Sequence, residues 1–319
     1  MDFEIMHIVE KRKLKTANKI LVFLSNEFNR KKSAQTRSTC DTNPNTNLNL
    51  LNDVHASDFE CEIDKIWADR ISKNAHLFNA TKFRVHSISS SENEMVSLFL
   101  GITDYKEFIG TNWSPNAKDL QQRGIEAFSN SQAFLSDALG VGASVLTEDN
   151  KLILLKRSEF CAEAPSLWDV PGGHAEPMNI VGSKPLQDID VTTMSSAEVL
   201  HEIFDSIQRE VVDEVNIPLE KLGEPFYMGT HRNKLSAGRP SLAFAIRCFL
   251  TSEEVQQKYT EGNQSEADET TSIMFISLDD ISRLVIEKND LWNMLAPSAK
   301  GNLSIFCLSN ASKFIHGYY

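Results

Sequence analysis

Arg209-Glu210-Val211-Val212-Asp213-Glu214 sets three carboxylates at i, i+3 and i+4, positions that share one face of a helix. Like charges at that spacing repel, and a divalent cation is what relieves them. The segment ends a longer stretch, Ser195 to Val215. There Val199, Ile203, Ile207, Val211 and Val215 form an apolar stripe at spacing four, the pattern of a helix docked through one face. Ser195 or Ser196 can cap it. Upstream, Val170-Pro171-Gly172-Gly173-His174-Ala175-Glu176 reads as a strand end, a glycine turn and a further carboxylate.

Together these segments read as a magnesium site for phosphate chemistry. Magnesium takes oxygen ligands in near-octahedral geometry. It can neutralise a diphosphate and activate water. Glu210 and Glu214, one turn apart, are placed to grip it. Asp213 lies beside them, and Arg209, four residues earlier, can orient Asp213. Gly173 lets a backbone carbonyl point inward, since glycine accepts conformations other residues avoid. A solvated acidic face is the competing reading of the carboxylates alone. The docked helix and the glycine turn favour the metal.

Working outward, Ile63 to Ile71 has helical apolar spacing. Phe83 to Ile88 and Met95 to Leu100 form a hairpin pattern, followed by helical segments at Tyr105 to Phe108 and Ala117 to Phe128. Val141 to Leu146 and Leu152 to Leu155 read as a second hairpin. Residues 178–194 lack periodicity and read as a loop. Leu242 to Leu250 is a near-continuous apolar run, expected as a central strand. Ser252 to Tyr259 reads as helix, Glu261 to Thr271 as a polar loop, Ile273 to Ile276 as a strand, and 279–288 and 297–314 as helices. Ile20 to Leu24 could be a strand, and residues 28–57 read as a flexible insertion. The elements lack a regular βαβ rhythm, so a mixed sheet clasped between helices is expected.

The formal net charge is −12, which argues against a general binder of nucleic acid or anionic membranes. No apolar run approaches transmembrane length. The five cysteines are scattered, with no C-x-x-C, so a reducing, cytoplasmic setting is expected. Arg30-Lys31-Lys32 and Arg37 form a basic cluster that would suit a nuclear signal, an RNA patch or, more simply, a solvated loop. Cys161 has no evident base beside it and is not read as a nucleophile.

The two segments resemble the signature of the Nudix hydrolases, a glycine turn followed by R-E-x-x-E-E-x-G on a helix. The departures are specific. The 36 residues from Gly173 to Arg209 exceed the family's usual spacing, so an insertion is expected. Asp213 replaces a glutamate, and Asn216 replaces the closing glycine, a mild change because Asn tolerates left-handed backbone. The signature's middle glutamate falls at His201, with Glu202 beside it. From about Ile66 to Leu308 the chain is similar to the branch that acts on UDP-glucose and UDP-galactose. Leu77 to Ser87, Ile109 to Ser114, Leu139 to Ala143, Asp169 to His174, Asp213 to Asn216, Ser236 to Arg239 and Pro297 to Gly301 carry that likeness.

The resemblance implies a Nudix α/β/α sandwich with a mixed sheet and an N-terminal α/β extension. Its expected divisions are an N-terminal segment at 1–57, the extension at 58–135 and the hydrolase domain at 136–315. It implies magnesium-dependent cleavage of a UDP-sugar to UMP and sugar 1-phosphate, with Glu210 and Glu214 as metal ligands and Gly173 contributing a carbonyl. Arg239 is a candidate phosphate clamp or a surface arginine. Asp169 is a candidate ribose ligand or a turn cap. Asn112 and Thr111 could read uracil or ribose, with Tyr105 or Phe108 stacking. His174 could serve as an acid or stabilise the turn.

Overall fold

The computed structural model describes residues 2–9, 19–32, 54–73, 77–90, 95–161, 163–266 and 268–315. The chain enters on β1 (Phe3–Ile8) and β2 (Ile20–Leu24), then a 3-10 turn at Asn26–Phe28 and α1 (Val54–Lys73). β3 (Thr81–Ser90) and β4 (Val96–Asp104) pair antiparallel as the expected hairpin, Thr81 opposite Asp104 and Ser90 opposite Val96. α2 (Tyr105–Thr111) and α3 (Ala117–Phe128) lead to β5 (Gly140–Leu146), β6 (Lys151–Arg157), β7 (Trp168–Asp169) and β8 (Gly172–His174). α4 (Met178–Val181) and α5 (Ser196–Val215) precede β9 (Phe226–Asn233) and β10 (Arg239–Arg247). The rest is α6 (Ser252–Glu261), β11 (Thr270–Ser277), α7 (Leu278–Glu287), α8 (Asp290–Asn293), α9 (Pro297–Ser309) and α10 (Ala311–Ile315).

Among the described residues the main sheet runs β1-β9-β10-β5-β6-β11, with β8 on β5 and β7 on β6. β10 and β5 are parallel and the other pairs antiparallel, so the sheet is mixed as expected. β10 is interior and buried along its whole length, which explains its unbroken apolar run. A second sheet, β2-β4-β3, belongs to the N-terminal extension. α5 and the second sheet share a core with one face of the main sheet. α9, Trp292 and α7 cover the other face. No described helix is long and apolar enough to cross a membrane.

α5 follows its sequence pattern closely. Val199, Ile203, Ile207, Val211 and Val215 are all fully buried. Burying five such side chains stabilises on the order of 10 kcal/mol. That is enough to hold a helix whose other face carries repelling carboxylates. Ser195 occupies the cap position without a side-chain cap bond. Asn216 closes the helix at φ 65°, its N–H donating to Val212 O, the left-handed stop for which glycine is usual.

Four expectations change. The N-terminal segment is not separate, because β1 forms an edge of the main sheet against β9, Phe3 opposite Asn233. The boundary near residue 57 therefore cuts across both sheets. The flexible stretch begins too early at 28: Arg30 is buried and its guanidinium pairs with Glu60 at 2.6 Å and Glu107 at 3.0 Å. The basic cluster thus loses Arg30 to internal pairing, and Arg37 lies outside the described residues, as do 33–53 of the presumed insertion. The second hairpin splays, β5 meeting β6 only at Leu146 and Leu152, because β10 and β8 occupy the edges of β5. Finally, the presumed loop at 178–194 contains α4 and two 3-10 turns, and buries Val191 and Met194 in the core.

Candidate active site

The glycine turn lies along β5, Gly172 opposite Gly142 and Gly173 opposite Val141. Its backbone faces the carboxylates of α5. Gly172 N donates to Glu214 Oε2 at 2.9 Å, and His174 N donates to Glu210 Oε1 at 3.1 Å. A Cβ at Gly173 would collide with the Glu210 carboxylate. Glycine is needed there for close approach.

Glu210 and Glu214 are joined by two residues the sequence did not single out. Glu266 and Glu269, from the presumed polar loop before β11, bring carboxylate oxygens within 4.8 Å of one another and of Glu214. Burial pushes Glu210 up to about 8, and the charges of Glu266 and Glu269 push the same way. Glu214 is raised well above the usual carboxylate range by burial and by Glu210. Burial, followed by the charges of Glu269 and Asp213, pushes Glu266 up to about 7. Carboxylates held this close, short of positive charge, are oxygen donors suited to a divalent cation. The donor set fits the magnesium that the sequence implied.

Asp213 is not drawn into this cluster. It accepts from Ser265 Oγ at 2.6 Å, and its carbonyl accepts from Glu266 N at 3.1 Å. It therefore fastens the loop that delivers Glu266 and Glu269. Nor does Arg209 orient Asp213: its Nη2 pairs with Glu202 Oε1 at 2.7 Å. Glu202 is buried, and it also accepts from Glu176 N at 3.1 Å and Asn179 Nδ2 at 2.9 Å. A buried carboxylate demands its counter-charge more strongly than a partly exposed one, which is why Arg209 turns back along the helix. His201 is exposed and pairs with Asp205. Glu202, not His201, therefore stands under the glycine turn, one residue off the expected count.

Beside the carboxylates lies a cavity of about 140 Å³. Asp169 and Arg239 both line it, with Arg157, Glu163, His174, His231 and Ser298 among the other residues. Asp169 accepts from Ser298 Oγ at 2.7 Å, and Arg157 Nη1 stands 3.8 Å away. Burial raises the Asp169 carboxyl above its ordinary range. Arg239 is buried, so the surface reading fails. Its Nη2 pairs with Glu163 at 3.2 Å, Nη1 lies 3.4 Å from His174 Nε2, and Phe108 packs under the guanidinium at 5.6 Å. His174 bonds Leu139 O through Nδ1 at 2.9 Å. A carbonyl only accepts, so Nδ1 carries the proton. Burial, then Lys82 and Arg239, keep this ring neutral, which fits the turn-stabilising role.

Thr111, Asn112 and Tyr105 lie elsewhere. Asn112 Nδ2 donates to Asp137 Oδ1 at 3.0 Å and Ser236 O at 3.1 Å, while its Oδ1 accepts from Asp137 N at 2.9 Å. Thr111 Oγ1 donates to Glu107 O and accepts from Ser136 N. Both residues are buried with their polar edges occupied: Thr111 ties α2 to Ser136, Asn112 ties it to Asp137 and to the turn before Arg239, and neither has an edge left for a base. Tyr105 packs in an aromatic group with Trp67, Phe108 and Trp113 and does not line the cavity. Cys161 donates to Glu269 O at 3.2 Å, and burial raises its thiol pKa, in keeping with no nucleophilic role.

No protein-family model matches the chain. Individual relatives do. The chain is 42% identical over 250 residues to uridine diphosphate glucose pyrophosphatase NUDT22 of Homo sapiens, covering 76% of this chain and 80% of that one. The Mus musculus protein of the same name is 42% identical over 247 residues, covering 76% and 78%. Nudix hydrolase 9 of Arabidopsis thaliana is 32% identical over 237 residues, covering 70% and 74%. Among solved structures, a NUDIX hydrolase from Nitrosomonas europaea superposes with TM-score 0.34 at 17% identity, covering 57% of this chain and 96% of that one.

Proposed function

The chain belongs to the Nudix hydrolase family, and on that premise we propose that it hydrolyses UDP-glucose or UDP-galactose to UMP and sugar 1-phosphate with magnesium. One observation carries this reading: Glu214, Glu266 and Glu269 bring carboxylate oxygens within 4.8 Å of one another, beside Glu210, which like Glu214 accepts from the backbone of the glycine turn, with a polar cavity alongside. Those four carboxylates, with the Gly173 backbone, would hold the cation, whose charge would neutralise the diphosphate and acidify a bound water.

The rest of the chemistry falls to the chain's own residues. Hydrolysis forms one P–O bond from water and breaks the bridging P–O bond, and one water proton must be accepted. Glu210, fixed by His174 N–H, is placed to orient the water or take that proton. Arg239 and Asp169 line the cavity, where a guanidinium can hold phosphate oxygen and a carboxylate can accept from ribose or sugar hydroxyls. Asn112 holds the turn before Arg239 through Ser236 O, and Tyr105 packs on the Phe108 ring that lies under the Arg239 guanidinium. The setting proposed is cytoplasmic.

Incubation of the purified chain with UDP-glucose and magnesium, resolved by anion-exchange chromatography, tests the reading. Release of UMP and glucose 1-phosphate in equal amounts is the expected result, with none after chelation. A panel containing ADP-ribose, NAD and coenzyme A checks the substrate. No UMP from either UDP-sugar, or faster cleavage of another panel member, refutes the assignment.

A further inference from the structure

The cavity beside the carboxylates has a deep end that the chemistry above leaves unused. His231 on β9 and Ser241 on β10 stand directly opposite each other in the antiparallel ladder, so their side chains project from one face of the sheet. Both line the cavity, and they are only 1% and 4% exposed. Ser241 follows Arg239 by two residues on β10, a strand repeat of about 7 Å. The pair therefore lies one step beyond the guanidinium assigned to phosphate. Two glycines make room for it. β5 sets Gly140 beside Ser241, where a Cβ would collide with the serine hydroxyl. Gly301 of α9 lies against the imidazole, where a Cβ would collide with the ring.

The polar atoms at this end are not all used by the fold. Among the described residues, His231 Nδ1 is buried without a hydrogen-bond partner, and so is Arg239 Nε. Asn302, in the same wall, shows the ordinary pattern: its Nδ2 donates to Gly142 O at 2.8 Å and its Oδ1 accepts from Ser144 Oγ at 2.7 Å. Buried polar groups are normally paired, and an orphan in a cavity wall calls for a reason. Burial, then Arg239, keep the His231 ring neutral. A neutral imidazole offers one donor and one acceptor, and a serine hydroxyl offers both. That set matches an alcohol, which also donates and accepts. Phosphate oxygen only accepts, and Arg239 serves it.

The lining also says which end of the substrate enters. Among the described residues that line the cavity none is Phe, Tyr or Trp, so no aromatic face is offered for a base to stack on. A ribose lies between phosphate and base, and at a closed end its base would have nowhere to go. A hexose is the terminal group and fits there.

We propose that His231 and Ser241 form the hexose subsite, hydrogen-bonding hydroxyls of the sugar at the closed end of the cavity. The proposal rests on the reading of the chain as a UDP-sugar hydrolase. Both are specificity-determining residues, and no proton transfer is assigned to either.

The test compares full-length wild type with Ser241→Ala, His231→Phe and His231→Gln. Two quantities are read in magnesium: kcat/KM for UDP-glucose and UDP-galactose, and the Kd of UDP, which lacks the hexose, by calorimetry. Losing one neutral hydrogen bond corresponds to roughly 3–10-fold in affinity. Ser241→Ala, which takes away only the hydroxyl, should lower kcat/KM for the UDP-sugars by about that factor, mainly through KM. His231→Phe keeps a ring against Gly301 and should lose about tenfold or more, because it leaves a sugar hydroxyl unpaired. His231→Gln restores a donor and an acceptor and should recover part of that loss. UDP should bind all three variants within about twofold of wild type.

Unchanged kcat/KM in both Ser241→Ala and His231→Phe overturns the inference. So does a loss of UDP affinity equal to the loss of kcat/KM, which marks a structural role or the nucleoside end. If wild type releases no UMP from either sugar, the hydrolase reading fails, and calorimetry with intact UDP-glucose then decides the subsite. Tighter binding of UDP-glucose than of UDP, with the difference lost in Ser241→Ala, keeps it. No such difference sinks it as well.

Discussion

Replacing Glu210 with Gln should make the metal-free protein more stable and the enzyme nearly inactive. Glutamine keeps the shape, and its carbonyl can still accept the His174 N–H that now reaches Glu210 at 3.1 Å. What disappears is a negative charge beside Glu266 and Glu269. Folding raises the Glu210 pKa from its ordinary 4.5 to about 8. A group raised in this way contributes its stability fully below pH 4.5 and loses it as pH rises through 8. At ~1.36 kcal/mol per pH unit, a rise from 4.5 to about 8 sets a ceiling of ~5 kcal/mol at pH 8 and above. The site is partly open to water, whose screening reduces this to about 1–3 kcal/mol. At roughly 2.1 cal/mol/K per residue, that corresponds to a rise in Tm of about 2–4 °C for this chain.

The assay is thermal unfolding at pH 8 and at pH 4, with EDTA and then with magnesium. In EDTA at pH 8, Glu210→Gln should melt above wild type, and at pH 4 the two should nearly coincide. Magnesium should raise the wild-type Tm and raise the variant's less, while turnover of UDP-glucose falls by about 10²-fold or more, the scale of losing one group that stabilises developing charge. A variant that melts at or below wild type in EDTA at pH 8, or that keeps its turnover, refutes the charge-cluster reasoning.

Gly173→Ala should leave the fold intact and cut kcat/KM by about 10²-fold, because its Cβ displaces the Glu210 carboxylate; normal kinetics would show that Glu210 is not where turnover needs it. Asn112→Ala should cost about 1–3 kcal/mol in urea unfolding, since it removes the Nδ2 donor from buried Asp137 and from Ser236 O. Its KM for UDP-glucose should stay within about twofold, and a large KM rise at normal stability would restore a direct binding role. His231 is buried, and burial, then Arg239, depress its pKa from 6.5 to about 3. A depressed group contributes stability above pH 6.5 and loses it as pH falls toward 3, at up to ~1.4 kcal/mol per pH unit. His231→Gln should flatten that acid limb in denaturant titrations at pH 4–7, and an unchanged slope would place the acid sensitivity elsewhere.

Where the site agreed with its sequence reading, the relevant signal was local. α5 announces itself through an apolar residue every fourth position, and the same periodicity fixes which face carries Glu210 and Glu214. The glycine pair before His174 marks a close backbone approach, and the structure supplies the object approached, the Glu210 carboxylate. Asn216 reads as a left-handed stop because few other side chains tolerate that backbone. Where the structure differs, adjacency in sequence does not carry adjacency in role. Thr111 and Asn112 looked like a binding edge beside Trp113, yet their polar atoms are consumed by Asp137, Ser136 and Ser236. Counting along the helix pointed to His201, but the buried neighbour Glu202 has the partners.

The sequence by itself determined a docked helix bearing carboxylates, a glycine turn before it, a mixed α/β order of elements and the family they resemble. Each depends on spacing within a few turns or on short motifs, which the chain carries wherever it folds. Only the tertiary structure decided that Glu266 and Glu269 complete the cluster, that Asp213 serves the loop instead, that β1 joins the main sheet beside β9, and that Gly301 of α9 makes room for His231 beside the cavity. These are pairings across tens to hundreds of residues. They are settled by which buried charges and strand edges find partners in the folded protein, and no local pattern records that outcome.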